Sequence, residues 1–328
     1  MYKHFLTSVL LVFFMLSCSK PSPFEGKMRE SVQTSLSWRN DTTGIWEAAG
    51  WWNSANVLTA TIRYGAVTKD PAIPSVIEDV FEKARHYQVG VDSTGTPRYC
   101  DNFINDYYDD EGWWALAWIE ASKLTGEKKY LDMAEIIFDD MTTGWSDACG
   151  GGIFWKKNPL HYKNSIANNL FSLTAIRLYK ATQNPAYLDW FKKNVDWYTQ
   201  TGMINTDIYQ IEDGTKDDCT PNRNAHYTYN QGVAIAVLAE MYLQTNDKSY
   251  LELAEKIADA TITTQLVTDE GILREMKPEI DDSNDGVQFK GIFIRHLAFL
   301  YEVTKNPAYK DFILKNAESI ITKDYDPA

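Results

Sequence analysis

The apolar positions of this chain recur at three- and four-residue steps through most of its length, which is the period of an α-helix. Four segments share one arrangement: an apolar helix, a short polar turn, and an amphipathic helix that opens near a tyrosine. The four tyrosines, which are 57, 63 and 59 residues apart, are Tyr130, Tyr187, Tyr250 and Tyr309. A period of about 60 residues fits one helical hairpin plus one long loop.

The hairpins predict two layers of helices, because the first helix of each is apolar all round and the second has one polar face. The predicted apolar helices cover residues 112–123, 167–180, 231–244 and 291–303, and further helices are predicted over residues 28–38, 53–64 and 75–87. With the four amphipathic helices, these candidates approach the twelve helices of an all-α (α/α)6 barrel. An open solenoid of the tetratricopeptide kind is the alternative, but its unit of about 34 residues is too short.

The N-terminal residues are predicted to be a targeting segment and not part of the fold. A basic start at Lys3 precedes an apolar run over residues 5–16, which is too short to span a membrane. The run ends in Met-Leu-Ser-Cys, which is typical of a bacterial lipoprotein cleavage site and predicts lipidation of Cys18. An ordinary signal peptide with an incidental cysteine is the alternative.

This assignment divides the chain into a signal peptide (residues 1–17), a flexible tether (18–26) and a single (α/α)6 domain (27–328). It also predicts a location in the cell envelope of a Gram-negative bacterium, on the periplasmic or surface face of the outer membrane. The lipid anchor would be the only contact with the membrane, and we expect a monomer.

The composition of the chain limits the kinds of partner that it can bind. The formal net charge of −13 repels phosphate backbones, so nucleic acid is excluded as a partner and a neutral substrate is compatible. Aromatic residues make up 13% of the chain, and flat rings can bind the apolar C–H face of a sugar. Beyond Cys18, the cysteines are Cys100, Cys149 and Cys219, which allow at most one disulfide, and the sequence does not say which.

One acidic run stands out as candidate chemistry. Asp106, Asp109, Asp110 and Glu111 fall within six positions, just before an apolar helix, and the last three lie between a Tyr-Tyr pair and a Trp-Trp pair. A helix cap would need only one of these carboxylates. Two carboxylates in an aromatic cleft indicate cleavage of a glycosidic bond, which a retaining enzyme performs with carboxyl groups about 5–5.5 Å apart.

Other signals do not predict a metal or a cofactor. Residues 281–286 mimic the opening of a calcium loop, but the twelfth position is Ile292 where that loop needs a bidentate glutamate. The five histidines lack metal-ligand spacing. We therefore expect neither a metal nor a cofactor, and a short hairpin arm over residues 151–155 is the one strand-like feature.

The sequence around the acidic run resembles the signature of glycoside hydrolase family 76, the endo-α-1,6-mannanases. The run is YYDDEGWWALAWIEA at residues 107–121. Further similar motifs follow the family order at residues 51–56, 151–155, 163–171, 213–214, 228–232 and 289–297. Together they cover roughly residues 45–300.

The resemblance implies an (α/α)6 barrel and a retaining, endo-acting glycosidase that cleaves α-1,6-mannosidic linkages in mannan or its oligosaccharides. By position, Asp109 is similar to the family's nucleophile and Asp110 to its acid/base. The residues that the resemblance places in the substrate cleft are Trp51, Trp52, Asn53, Trp113, Asn168, Asp213, Tyr229, Asn230, Gln231 and Lys290. For each of these, a core or capping role is the alternative.

Two other functions stay open at this point. A non-catalytic glycan-binding lipoprotein needs aromatic platforms but no paired carboxylates. A transglycosylase of the same fold keeps the pair and passes the covalent intermediate to a sugar hydroxyl.

Overall fold

A computed structural model describes residues 23–91, 94–157, 162–223, 225–276 and 285–324. Cys18, the signal peptide, residues 18–22 of the tether and residues 281–284 of the calcium-like loop lie outside these ranges. Within them, no helix combines the length and the apolar character needed to cross a membrane.

Eleven α-helices form within the described ranges, and short strands connect some of them. The helices are α1 (Pro23–Ser37), α2 (Trp51–Thr68), α3 (Ile73–Ala84), α4 (Tyr108–Thr125), α5 (Lys128–Thr142), α6 (Ser165–Thr182), α7 (Pro185–Gln200), α8 (Thr228–Thr245), α9 (Lys248–Thr263), α10 (Gly286–Thr304) and α11 (Pro307–Ser319). Two antiparallel hairpins pair β1 (His86–Val91) with β2 (Pro97–Asp101), and β3 (Ile204–Asn205) with β4 (Gln210–Ile211).

The predicted two-layer, all-α architecture is confirmed. Fourteen of the eighteen residues of α6 are buried, against six of the sixteen of α7, so the first helix of this hairpin is the inner one. The inner helices α2, α4, α6, α8 and α10 contact one another in that order around the barrel. The outer helices keep one polar face toward solvent, as their amphipathic pattern requires.

The turns between paired helices explain the polar spacer of the sequence repeat. Each inner helix of the four hairpins ends at a residue in the left-handed conformation, namely Gly126, Gln183, Asn246 or Lys305. Such a residue reverses the chain and lets its N–H cap the helix C-terminus. The side chains of Asn184, Asp247 and Asn306 then cap the outer helix that follows.

The repeated tyrosine joins neighbouring outer helices. The hydroxyl groups of Tyr130, Tyr187 and Tyr309 donate to Glu78, Glu135 and Asp259, which lie on the preceding outer helix. The distances are 2.7, 2.9 and 3.1 Å. Three of the four marker tyrosines of the sequence repeat therefore bond one hairpin to the next.

Two boundaries differ from those that the sequence predicts. Helix α1 begins at Pro23, so residues 23–26 of the predicted tether form its first turn, where proline and the acidic Glu25 are both favourable. The helix predicted over residues 75–87 ends at Ala84, because the alternation around Tyr87, Val89 and Val91 suits a strand, and it forms β1.

The cysteine pairing that the sequence left open is resolved. Cys149 and Cys219 form a disulfide between two loops that are 70 residues apart in sequence. Cys100, the one buried residue of β2, is a free thiol, and burial is the first cause that raises its pKa to about 12. This thiol is therefore unreactive at neutral pH.

Candidate active site

The site lies at the end of the barrel where the inner helices begin. The loops before α4, α6 and α8 meet there, and two isolated bridges join them, between Tyr107 and Lys156 and between Asn164 and Gly214. The acidic run and the two neighbouring loops are thereby brought to one cleft.

Asp109 lies in the first turn of α4, where free backbone N–H groups favour an anion. The indole N–H of Trp155 donates to its Oδ2 at 3.0 Å. Burial raises the pKa of Asp109 to about 7, although the Trp155 N–H and the helix backbone oppose the rise, and the charge on Asp213 adds to it. This carboxyl is poised to titrate near neutrality.

Asp110 has a different donor. The side-chain amide of Asn105 donates to Asp110 Oδ2 at 2.6 Å, while its own oxygen accepts the backbone N–H of Tyr107 at 2.8 Å. The second bond fixes the orientation of the amide, so its NH2 must face Asp110. Burial, followed by the charge on Asp109, raises the pKa of Asp110 well above its usual value, and Asn105 opposes that rise.

Glu111, which follows Asp110, supports the site through buried contacts. Its side chain is completely buried, with Lys157 Nζ 2.6 Å and the backbone N–H of Asn105 3.2 Å from its Oε1. The same ammonium group lies 2.6 Å from Asp140. Glu111 therefore holds the loop that carries Asn105.

Asp213 contributes a further carboxylate to the cleft. The hydroxyl of Tyr162 donates to its Oδ2 at 2.5 Å, and the amide of Asn230 donates to its Oδ1 at 3.0 Å. Burial and then the charges on Asp213 and Asp109 raise the pKa of Tyr229, so this tyrosine lies near both carboxylates. A cavity of about 560 Å³ opens beside Asp213.

Aromatic side chains also lie near the carboxylates of the cleft. Tyr229 stacks on Phe289 with the ring centroids 3.9 Å apart, and Trp52 stacks on the buried Trp113 at 5.9 Å. The indole of Trp52 donates to Asp285 at 2.9 Å. These rings offer flat apolar surfaces of the kind that sugars bind.

Two predicted cleft residues instead clamp the loops that carry the site. The side chain of Asn168 bonds to both the N–H and the C=O of Ile153, at 2.8 and 3.0 Å. Gln231 grips Ile211 in the same way, at 2.8 and 3.1 Å. Each clamped residue stands two positions before a residue of the site, Trp155 in one case and Asp213 in the other.

The other predicted cleft residues take varied positions. Trp51 stacks on Tyr87 beside Trp114, within an aromatic cluster under the cleft. Asn53 is buried at the start of α2, and Lys290 is partly exposed beside Phe289.

Nothing in the sequence marked Asn105, Trp155 and Tyr162 as donors. Their partners lie up to 51 residues away, and only the 151–155 motif hinted at Trp155. In the described part of the chain, no group of three or more metal-ligating side chains is placed to hold an ion.

A two-layer helical barrel with a carboxylate pair in an aromatic cleft defines the class of helical-barrel glycoside hydrolases. The model of glycosyl hydrolase family 76 matches residues 24–326, and the chain belongs to this family. The resemblance found in the sequence motifs is thereby confirmed.

Known relatives extend the comparison. A putative mannan endo-1,6-α-mannosidase of Schizosaccharomyces pombe is 30% identical over 270 residues, which are 77% of this chain and 58% of that protein. The chain thus spans less than two thirds of this curated relative. Among solved structures, the α-1,6-mannanase GH76A of a Salegentibacter species is 25% identical with a TM-score of 0.77, covering 90% of this chain and 88% of that one.

A second structure of the same enzyme shows the same fold. It is an inactive variant in which two adjacent aspartates are replaced by alanine, in complex with α-1,6-mannotetrose. It is 24% identical to this chain, with a TM-score of 0.79 and coverage of 91% and 88%.

Proposed function

We propose that this protein is a retaining endo-α-1,6-mannanase in which Asp109 is the nucleophile and Asp110 the acid/base. The observation that carries the assignment is that each carboxyl group accepts a hydrogen bond from its own donor. Trp155 stabilises the charged form of Asp109, whereas the charge on Asp109 then keeps the proton on Asp110. Once Asp109 has lost its proton, the pair therefore holds one charge and one proton, as a retaining glycosidase requires.

The two roles follow from this protonation. Asp109 attacks the anomeric carbon and forms a mannosyl ester, while Asp110 gives its proton to the departing glycosidic oxygen. Asp110, now charged, removes a proton from an incoming water, which breaks the ester and restores both carboxyl groups. The charge that develops on the sugar ring in each step is stabilised by the carboxylates around it.

The shape of the cleft favours internal cleavage. Asp109 interacts electrostatically with Asp213, which lines the cavity, and Asp110 interacts with Asp285, which accepts from the Trp52 indole. A chain that extends from the pair toward both of these features would be cut internally. A neutral polysaccharide suits this acidic protein. The names of its relatives, which are mannan endo-1,6-α-mannosidases and an α-1,6-mannanase, support mannan as the substrate.

The intact pair disfavours a purely glycan-binding role. Capture of a polysaccharide needs rings such as Trp52 and Tyr229, but it does not need two costly half-buried carboxyl groups with dedicated donors. Transglycosylation would begin with the same mannosyl ester. It differs from hydrolysis only in the acceptor, which is a sugar hydroxyl in place of water.

Linear α-1,6-mannan is the substrate for the decisive assay. We expect new reducing ends, a mixture of oligosaccharides early in the reaction, and the α-anomer as the first product. Asp109→Asn should be inactive, whereas Asp106→Asn, in the same acidic run but paired with Arg98, should keep most activity. A β-anomer would contradict retention, and full activity of Asp109→Asn would remove the assignment.

We also propose that Cys18 is lipidated and anchors the protein to the outer membrane. The Met-Leu-Ser-Cys motif after an apolar run supports this proposal. Expressed in a Gram-negative host, the protein should partition into membranes, and Cys18→Ala should be released or remain unprocessed. A mature N-terminus away from Cys18 and without lipid would contradict it.

A further inference from the structure

An apolar groove runs along the barrel between α1, α2 and α10. Its volume is about 690 Å³, and its walls include Val32 of α1, Val57 and Val67 of α2, and Val287 and Ile292 of α10. Val67 and Val287 are more than half exposed, at 74% and 55%. None of the groove residues is a carboxylate of the active site, so the groove needs its own explanation.

Two arginines line this apolar groove. The guanidinium of Arg295 donates to Asn56 at 2.8 Å and lies over the ring of Trp113. Arg63 makes no side-chain hydrogen bond to any residue that the structure describes. A guanidinium has five N–H donors in a planar fork, so Arg63 presents unused donors to the groove.

The charge around these arginines is not balanced. Arg63, Arg177 and Arg295 interact electrostatically with one another, and Glu120 is the carboxylate they share. Glu120 already accepts a hydrogen bond from Arg177 at 3.1 Å. Burial and then the neighbouring positive charges lower the pKa of Arg295 to about 9. An anion in the groove would relieve this excess.

The length of the groove and the chemistry of its walls indicate which kind of molecule it can bind. The wall on α2 from Asn56 to Val67 is about 16 Å long, and the residues along it are mostly apolar. Such walls do not suit a sugar or a small inorganic anion. A narrow apolar chain with an anionic head matches both the apolar walls and the two arginines.

We propose that this groove binds a long-chain fatty acid, with its carboxylate between Arg63 and Arg295 and its hydrocarbon chain along Val57 and Ile292. A carboxylate matches the planar fork of a guanidinium. A cavity of this volume, mostly apolar with a few convergent polar groups, is typical of small-molecule sites.

Calorimetry with a series of saturated fatty acids, each below its micellar concentration, tests the proposal. Affinity should rise about fourfold for each added methylene until the groove is full. Hexadecanoate should bind at least about tenfold more tightly than hexadecanol, because the alcohol has no charge for the arginines. Acid and alcohol of equal affinity, or no binding of either, would overturn it.

Variants locate the site. Arg63→Met should weaken hexadecanoate at least about tenfold and leave hexadecanol unchanged. Arg29→Met, which removes an exposed arginine of the adjoining α1, is the matched control and should bind normally. Ala60→Trp should block both ligands by filling the groove, and it carries the test if Arg63→Met fails to fold. Normal binding by Ala60→Trp, or concentration-dependent dimers that exclude the ligand, would refute the proposal.

Discussion

Three consecutive acidic residues of α4 each have a donor of their own. Asp109 accepts from Trp155, Asp110 accepts from Asn105, and Glu111 pairs with Lys157. Successive helical residues point about 100° apart, so neighbours in sequence enter three different surroundings. The acidic run could be predicted from sequence as chemistry, but the donors could not, because the loops that supply Trp155 and Lys157 lie more than 40 residues away.

The indole of Trp155 controls the charge on Asp109. Its N–H bonds to the carboxylate and lowers the pKa, so Trp155→Phe should raise that pKa further and move the acidic limb of the kcat/KM profile to higher pH. Because the lost hydrogen bond is to a charged group, kcat/KM should fall about tenfold or more at about pH 6 and by a smaller factor at about pH 8.

The measurement is kcat/KM on α-1,6-mannan across that range. Tyr107→Phe, which removes a hydroxyl from a neighbouring ring and no donor to Asp109, is the control and should leave the limb in place. An acidic limb that stays put or moves to lower pH in Trp155→Phe would contradict the role of the indole.

Asn105 orients the acid/base. Its amide cannot rotate without losing the bond from Tyr107, so it leaves the other oxygen of Asp110 to carry the proton. Asn105→Ala should lower kcat/KM on mannan about 10–100-fold, and the basic limb should move to higher pH because a donor to the carboxylate is lost.

An aryl mannoside with an activated leaving group separates orientation from misfolding. Such a substrate needs little proton donation, so Asn105→Ala should affect its cleavage much less than that of mannan. Equal losses on both substrates would mean that Asn105 only supports the fold.

At the scale of elements, buried amides on inner helices fix the loops that carry the site. The helices themselves could be predicted from their period, and the confirmed inner helices extend the predicted ranges by a few residues. The hydrogen bonds from Asn168 and Gln231 to the loop backbone could not be predicted. In the sequence, an amide that binds a sugar cannot be distinguished from an amide that binds the backbone. Hairpin β1–β2 was missed because the alternation of Tyr87, Val89 and Val91 is short and most residues of the hairpin are exposed.

Removal of one clamp should affect both stability and catalysis. Asn168→Ala leaves the buried N–H of Ile153 without its partner, which costs about 1–3 kcal/mol. Trp155 follows two positions later, so kcat should fall as well. Chemical denaturation and the mannan assay measure the two effects.

Gln33→Ala, at an exposed position of α1, is the control and should change neither quantity. A variant Asn168→Ala with unchanged stability but weaker substrate binding would return this residue to the cleft, as the sequence motif implied.

At the scale of the whole molecule, the repeat predicted the barrel and the motifs predicted the family, both of which are confirmed. Repeats and motifs are local features of the chain, so they can be recognised in a single sequence. The pairing of Cys149 with Cys219 depends on where two distant loops meet, so three cysteines left three possibilities.

The disulfide should be the main covalent contribution to stability. It closes a loop of 70 residues around α6 and α7, and its loss should cost about 2–4 kcal/mol. Cys149→Ser should therefore melt at a lower temperature than the wild type, and a reducing agent should lower the melting temperature of the wild type but not that of Cys149→Ser.

Cys100→Ala is the matched control, since it removes the free thiol and keeps the bridge. It should respond to the reducing agent as the wild type does. Equal melting temperatures of Cys149→Ser and the wild type under oxidising conditions would show that the bridge contributes nothing.

The most direct test of the central claim is to trap the covalent intermediate. Asp110→Asn, incubated with an activated aryl α-mannoside, should accumulate a mannosyl ester, because the first step no longer needs an acid and the second lacks its base. Mass spectrometry of the digested protein should find one added anhydromannose unit, on Asp109, and azide should release it as a mannosyl azide. An ester on another residue, or turnover through an inverted product without any ester, would contradict the assignment of Asp109 as nucleophile.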